Sequence, residues 1–141
     1  MTVVLDASAL LAYLKGEPGG DRVDGVLPES VMSSVNWAEV IQKSIAANVD
    51  VDGMLDDLQA LGLVVEPFTP EDGEMAGRLW EQTRQYGFSL GDRACLSLGL
   101  RLGVPVLTCD RVWASLNLFL DIQAIRRWVN HTIAIRLGFF L

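Results

Sequence analysis

The sequence has few of the residues that mark exported or membrane proteins. Its two cysteines, Cys95 and Cys109, cannot build a disulfide framework, and we expect both to be reduced. The amino-terminal region lacks a basic segment and meets an acid as early as Asp6, which argues against a signal peptide. No uninterrupted apolar run approaches the ~18 residues that a membrane span needs. We therefore expect a cytoplasmic protein without a membrane partner.

Basic residues are scarce as well. Eleven Lys and Arg residues stand against eighteen Asp and Glu residues, so the net charge is −7. Proteins that follow long nucleic acids by charge alone need clustered cations, and this composition excludes that class. It leaves open a nuclease whose contact with phosphate is made through bound cations.

What the chain does contain is the composition and patterning of a globular α/β domain. Half of its 141 residues are hydrophobic and 21% are charged. Short apolar runs predict strands at 3–5, 30–35, 63–68 and 104–108, with a weaker one at 120–125. Helical spacing lies between most of these runs, which is typical of a parallel sheet with helices on both faces. We therefore predict one α/β domain with a central parallel sheet of four to five strands.

Several predicted helices have recognisable start and stop signals. Asn36 is expected to cap the helix after the second strand, with Ile45 among its inward-facing residues. A further helix is predicted over 50–62, where a glycine ends it. Residues 69–72, a threonine, a proline and two acids, predict the start of a helix that continues to Gly87.

Four acids near predicted helix starts each have an ordinary structural explanation. Asp6 and Asp110 could cap the helices that follow them, and Asp92 could complete a capping box with the serine three residues earlier. Glu39 precedes Lys43 by four residues, which is the spacing of a surface ion pair. Taken singly, each acid is explained by such a role.

Taken together, the positions of these acids favour a shared role. Asp6 and Asp110 each follow a predicted strand, so a parallel sheet places both at the edge where α/β proteins bind ligands. Asp92 and Glu39 lie near the starts of helices that begin at that edge. Four carboxylates there would repel each other unless cations neutralise them. Oxygen ligands without His or Cys suit Mg²⁺ or Mn²⁺, so the sequence predicts a divalent cation site.

The segments that carry these acids resemble those of the PIN-domain ribonucleases, and among them the VapC-type toxins of type II toxin–antitoxin modules. The order, the spacing and the flanking residues all match, and the resemblance spans residues 3 to about 126. The four segments are LDASALLA at 5–12, NWAEV at 36–40, SLGDRACL at 89–96 and LTCDRVW at 107–113.

The resemblance implies a metal-dependent endoribonuclease that hydrolyses RNA phosphodiester bonds with metal-activated water, using Mg²⁺ or Mn²⁺. The acidic tetrad of the family corresponds to Asp6, Glu39, Asp92 and Asp110. Its small hydroxyl residues correspond to Ser8 and Thr108, which are expected to orient the tetrad or a bound water. The resemblance also implies a VapB-like antitoxin whose tail covers the active groove, and a homodimer.

Within that site, the residues suggest different roles. Asp6 and Asp92 are expected to bind the cation directly, and Asp110 is expected to complete the site directly or through water. Glu39 is expected to position or deprotonate the attacking water.

Two arginines, Arg93 and Arg111, directly follow acids of the tetrad and have two open interpretations. Each could contact a substrate phosphate, or each could form a local ion pair that holds the neighbouring acid.

We assign residues 1–127 to the PIN-like nuclease domain and 128–141 to an apolar carboxy-terminal extension. The extension is too apolar for a solvated terminus and too short to span a membrane. Three explanations for it stay open: packing on the domain, mediating association, and an artefact of the reading frame.

Two other enzyme-like classes also place acids at strand ends. An aspartyl-phosphate phosphatase needs a second acid two residues after the first, where this chain has Ser8. A response-regulator receiver needs a lysine after its last strand, and the chain's lysines are Lys15 and Lys43. The chemistry excludes both classes. The remaining alternative is a catalytically silent PIN-like module that binds an antitoxin or RNA.

Overall fold

Short buried runs rich in β-branched residues form a parallel sheet. The structure is a computed structural model that describes residues 1–125. Its five strands are β1 (Val3–Leu5), β2 (Ser30–Ser33), β3 (Val64–Glu66), β4 (Val106–Thr108) and β5 (Ile122–Ala124). They lie in the order β3-β2-β1-β4-β5, and every neighbouring pair is parallel. The predicted α/β class and parallel sheet are confirmed.

Seven α-helices connect and cover these strands within the described part of the chain. They are α1 (Ala7–Lys15), α2 (Gly20–Val26), α3 (Ser34–Ala46), α4 (Met54–Ala60), α5 (Pro70–Arg78), α6 (Trp80–Thr83) and α7 (Leu90–Leu102). Three single turns of 3₁₀ helix add to them, at Leu27–Glu29, Arg84–Tyr86 and Arg111–Ser115.

The alternation of side chains along each strand divides the core into two layers. Val3 and Leu5 of β1 pack on one face of the sheet, in a cluster with residues of α1, α2, α3 and α4. Val4, between them, packs on the other face with residues of α7 and with Trp113. Because both faces are buried, the strands are continuous apolar runs, as parallel sheets require.

The order of the strands creates a crevice at the carboxyl end of β1. From β1 the chain moves outward to β2 and β3, and it then returns to place β4 on the other side of β1. The register pairs Leu5 with Leu107, so the residues that follow both strands meet at one edge. Such a reversal in strand order is where open α/β sheets bind ligands.

The second strand ends earlier than predicted, and the helix after it begins earlier. Asn36 is not the cap of α3, because the strand ends at Ser33 and the Ser33 side chain accepts a hydrogen bond from the backbone of Val35. The prediction that Ile45 faces inward is also wrong, since this residue is 56% exposed. The earlier start leaves Asn36 inside the first turn, where its side chain is free for another task.

The two remaining long helices are shorter than predicted. The helix predicted over 50–62 begins only at Met54, because Gly53 adopts a left-handed conformation with φ of 78°. The helix predicted to reach Gly87 ends as α5 and restarts as α6 around Leu79. There the Leu79 carbonyl accepts both the Thr83 backbone N–H at 3.1 Å and the Thr83 hydroxyl at 2.8 Å.

The predicted domain boundary at residue 127 and the extension over 128–141 lie outside the described residues. Within residues 1–125, no helix has both the length and the apolar character to cross a membrane.

Candidate active site

Asp6 lies at the junction of β1 and α1 and is almost fully buried, with 5% exposure. Its Oδ1 accepts hydrogen bonds from the Ala9 backbone N–H at 2.8 Å and from the Ser8 hydroxyl at 2.7 Å. Its Oδ2 accepts a hydrogen bond from the Thr108 hydroxyl at 2.5 Å. Asp6 therefore caps α1, as predicted, and is also tied to the end of β4.

Burial raises the pKa of Asp6 from 3.8 to about 6. The hydrogen bonds from Thr108, Ser8 and Ala9 oppose this shift, and the nearby charge of Asp92 adds to it. The three donors are neutral, so they stabilise the carboxylate less than a cation would. In the protein alone, Asp6 is therefore half protonated at a pH of about 6.

Two hydroxyl groups join the ends of β1 and β4 beneath this carboxylate. The Ser8 Oγ accepts from the Cys109 backbone N–H at 3.0 Å, and the Thr108 Oγ1 accepts from the Asp110 backbone N–H at 3.0 Å. Thr108 is fully buried. The structure therefore places both predicted supporting hydroxyls in contact with Asp6.

Asp92 and Asp110 lie at the starts of two further helical segments. Asp92 is the acid of a capping box: its Oδ2 accepts from the Ser89 N–H at 2.9 Å, and its own N–H donates to the Ser89 hydroxyl. The Asp110 Oδ1 accepts from the Val112 N–H at 3.0 Å and so caps the last 3₁₀ turn. Within residues 1–125, the second oxygen of each carboxylate takes no hydrogen bond.

Glu39 is held in place by Asn36, the residue that was predicted to cap α3. The Asn36 Nδ2 donates to the Glu39 Oε1 at 2.8 Å and to the Gly91 carbonyl at 2.9 Å, so it connects α3 with α7. A Cβ at position 91 would lie 2.5 Å from the Glu39 Oε1, so a larger residue there would displace the Glu39 carboxylate. The i,i+3 spacing of Asn36 and Glu39 was the available signal in the sequence.

These residues surround one cavity of about 210 Å³ at the carboxyl edge of β1 and β4. The lining side chains are Asp6, Ala7, Ser8, Asn36, Glu39, Lys43, Asp92, Asp110 and Trp113. The structure therefore brings all four predicted acids to the same space. The effect of three of these charges reaches Cys95, whose thiol pKa is raised by burial and then by Asp6, Asp92 and Glu39.

The two predicted arginines do not line this cavity. The Arg93 guanidinium instead donates to the Ala76 carbonyl of α5 at 2.9 Å, and its Nε is buried without a hydrogen-bond partner. Of the two interpretations of Arg93, the described residues show neither a local ion pair nor a position beside the acids.

The chemistry of the lining side chains fits a hard divalent cation. The acidic side chains supply carboxylate oxygens, the ligands that such cations prefer. Among residues 1–125, no three acidic, His or Cys side chains converge into a complete ligand set. Mg²⁺ does not require one, because it keeps several waters and binds through one or two carboxylates.

Comparison with known proteins gives a family and a set of structural relatives. The sequence model of the PIN domain matches residues 3–117. No curated protein matches the chain significantly in sequence. VapC20 from Mycobacterium tuberculosis, a toxin that cleaves the sarcin–ricin loop, superposes with a TM-score of 0.66 at 14% identity, covering 89% of this chain and 100% of that one.

Two toxin–antitoxin structures show the same likeness. VapBC-1 from nontypeable Haemophilus influenzae gives a TM-score of 0.64 at 19% identity and covers 87% of this chain and 97% of that one. VapBC2 from Rickettsia felis, bound to a DNA fragment from their promoter, gives a TM-score of 0.63 at 15% identity, with 87% and 98% covered. At these identities the likeness is one of fold.

Proposed function

The chain belongs to the PIN-domain family, and we propose that it is a metal-dependent endoribonuclease of the VapC toxin type. The observation that carries the proposal is the cavity into which four different elements bring four carboxylates. A structural relative that cleaves an RNA loop supports the choice of RNA as substrate. So many carboxylates in one small space are suited to phosphodiester hydrolysis only when a cation offsets their charge.

Asp6, Asp92 and Asp110 are the proposed ligands of Mg²⁺ or Mn²⁺. Among residues 1–125, Asp92 and Asp110 each keep an oxygen without a hydrogen bond, and the buried Asp6 has no cationic partner. When bound, the cation would polarise the phosphodiester and lower the pKa of a water molecule. Ser8 and Thr108 keep the Asp6 carboxylate in one orientation.

Glu39 is the proposed general base. Its Oε1 is engaged by Asn36, whereas its Oε2 takes no hydrogen bond from residues 1–125 and can accept a proton from water. The contact with Gly91 fixes the carboxylate beside the start of α7, on which Asp92 lies. A base must be held within hydrogen-bond reach of the water that it deprotonates, and these contacts supply that restraint.

The test is cleavage of RNA by the purified chain with Mg²⁺ or Mn²⁺ and with excess EDTA. We expect cleavage only with the cation, and we expect Asp6→Asn to abolish it while circular dichroism shows a folded protein. Undiminished cleavage in EDTA, or by a folded Asp6→Asn variant, would contradict the proposed mechanism.

An antitoxin and a second copy of the chain are the proposed partners. The relatives that are toxin–antitoxin complexes support a VapB-like antitoxin. Light scattering after size exclusion tests the homodimer. Co-purification with the product of a small adjacent gene tests the antitoxin.

A second candidate function is a catalytically silent module that binds an antitoxin or RNA. It is favoured by one observation, that no three of the described acidic side chains form a complete ligand set. The effect of a divalent cation on the melting temperature distinguishes the two candidate functions. A silent module binds its partner with no cation-dependent stabilisation, whereas Mg²⁺ or Mn²⁺ should raise the melting temperature of the proposed nuclease.

A further inference from the structure

Lys43 is the one positively charged side chain, among residues 1–125, that lines the carboxylate cavity. It lies on α3, one turn after Glu39, and it is exposed to solvent. The spacing predicted an ion pair between the two residues. The ion pairs of the described residues do not include it, so the Lys43 ammonium is not engaged by an acid.

The Glu39 carboxylate has other contacts in place of this pair. Its Oε1 is occupied by the Asn36 amide at 2.8 Å, and its carboxylate packs against Gly91, at a distance that leaves no room for a Cβ. The Glu39 carboxylate therefore lies beside the start of α7, and the described residues show no ion pair between it and Lys43. Lys43 keeps its charge available for a ligand that enters the cavity.

The two arginines that the sequence suggested for contact with phosphate do not line the cavity. Arg93, which the sequence suggested for contact with phosphate, donates to the Ala76 carbonyl of α5. Arg111 follows Asp110 directly but does not line the cavity. The described part of the chain therefore offers an entering anion a single cationic side chain at this place.

We propose that Lys43 binds a backbone phosphate of the RNA strand in the cavity, an inference that rests on the proposed nuclease function. A polyanionic strand that approaches four carboxylates on a chain of net charge −7 is repelled. An ammonium group is a compact charge with three donors and binds a phosphate oxygen without a fixed approach geometry. It therefore tolerates different RNA sequences and contributes to binding more than to the chemical step.

The test compares Lys43→Gln with Lys43→Arg and with Lys15→Gln. Lys15 is the only other lysine and lies in the last turn of α1, so its variant makes the same charge change away from the cavity. We expect Lys43→Gln to raise KM for a short single-stranded RNA about tenfold with little change in kcat. The slope of log(kcat/KM) against log salt concentration should fall by about 0.7. Lys43→Arg and Lys15→Gln should stay close to the wild type.

A binding measurement separates this proposal from the proposed function. Fluorescence anisotropy of the same labelled RNA, with Mg²⁺ and in an Asp6→Asn background, reports binding without cleavage. Equal affinity and equal salt dependence of the Lys43→Gln and Lys15→Gln variants would overturn the role of Lys43, whether or not the wild type cleaves RNA. If the wild type binds but does not cleave, the nuclease function fails, and the loss of affinity in Lys43→Gln still supports the phosphate contact. If no RNA is bound, both proposals are wrong.

Discussion

Asp6 and Asp72 are two buried carboxylates at helix starts, and they differ in what surrounds them. Their exposures are 5% and 3%. Asp72 forms a two-pronged ion pair with Arg101, at 2.8 and 3.2 Å, between α5 and α7. Within the described part of the chain, Asp6 receives only neutral donors, from the Ser8 and Thr108 hydroxyls and one backbone N–H.

The pKa values of the two acids move in opposite directions as a result. Burial alone would raise both. At Asp72 the hydrogen bonds from Arg101 and Thr69, together with the Arg101 charge, outweigh burial and lower the pKa. At Asp6 the neutral donors do not outweigh burial, and the pKa is about 6.

The difference separates a carboxylate that stabilises the fold from one that is costly to the fold. The protein supplies its own cation to Asp72. Residues 1–125 supply none to Asp6, where the proposed Mg²⁺ or Mn²⁺ would come from solution. A buried acid without a cationic partner is therefore a better sign of a functional site than a buried acid as such.

The largest expected effect is on the rate of RNA cleavage. It is found by comparing Asp92→Asn with Asp72→Asn, since each variant replaces the acid of a capping box by its amide. Both acids close the same local motif, but only Asp92 lines the cavity. We expect Asp92→Asn to lower the rate of RNA cleavage about a thousand-fold or more, since it removes a proposed cation ligand.

Asp72→Asn should instead keep its cleavage rate and lose about 2 kcal/mol of stability, because it leaves Arg101 without its partner. Initial cleavage rates and urea denaturation measure the two effects. A large loss of rate in a folded Asp72→Asn variant would break the distinction between the two acids.

The next effect is on stability and its pH dependence in the absence of metal. Because the folded state holds the Asp6 proton up to pH of about 6 and the unfolded state loses it near 3.8, this group makes stability fall as pH rises through that window. Asp6→Asn removes this dependence. We expect the variant to be more stable than the wild type by up to about 3 kcal/mol at pH 8 in EDTA.

Urea denaturation at pH 4 and pH 8 measures that difference, which should nearly vanish at the lower pH. Saturating Mg²⁺ should stabilise the wild type and so reduce the difference in stability between it and the Asp6→Asn variant. An identical pH dependence in the two proteins would show that Asp6 is not destabilising.

The smallest effect concerns the restraint on Glu39. Gly91→Ala places a methyl group within 2.5 Å of its Oε1 and should lower kcat about tenfold by displacing the carboxylate. Stability should change little, because alanine favours the helix by about 1 kcal/mol and offsets the local strain.

Gly77→Ala in α5 is the matched control, since a Cβ there meets nothing within 4 Å. It should increase stability slightly and leave kcat unchanged. Equal kcat values in the two alanine variants would remove the role assigned to Gly91.

Local patterns in the sequence predicted the class of fold and the set of acids well. The acids that follow β1 and β4, Asp6 and Asp110, line one cavity together with Glu39 of α3 and Asp92 of α7. Patterns failed where one helix was predicted across Leu79, and where Asn36 was assigned to capping. The Asn36 side chain bonds to the Glu39 carboxylate and, across 55 residues, to the Gly91 carbonyl, and helical periodicity does not represent these contacts.

The sequence by itself determined the parallel α/β fold, the family resemblance and the four acids, because these depend on periodicity and on near neighbours along the chain. Only the tertiary structure decided which charges are satisfied. The Thr108 hydroxyl bonds to Asp6 across 102 residues, and the Asn36 amide reaches Gly91 across 55. The capping boxes of Asp72 and Asp92 are of the same type, but Asp72 supports the fold and Asp92 lines the cavity. The reason is that, of the two acids, Asp72 alone forms an ion pair with an arginine of the described residues.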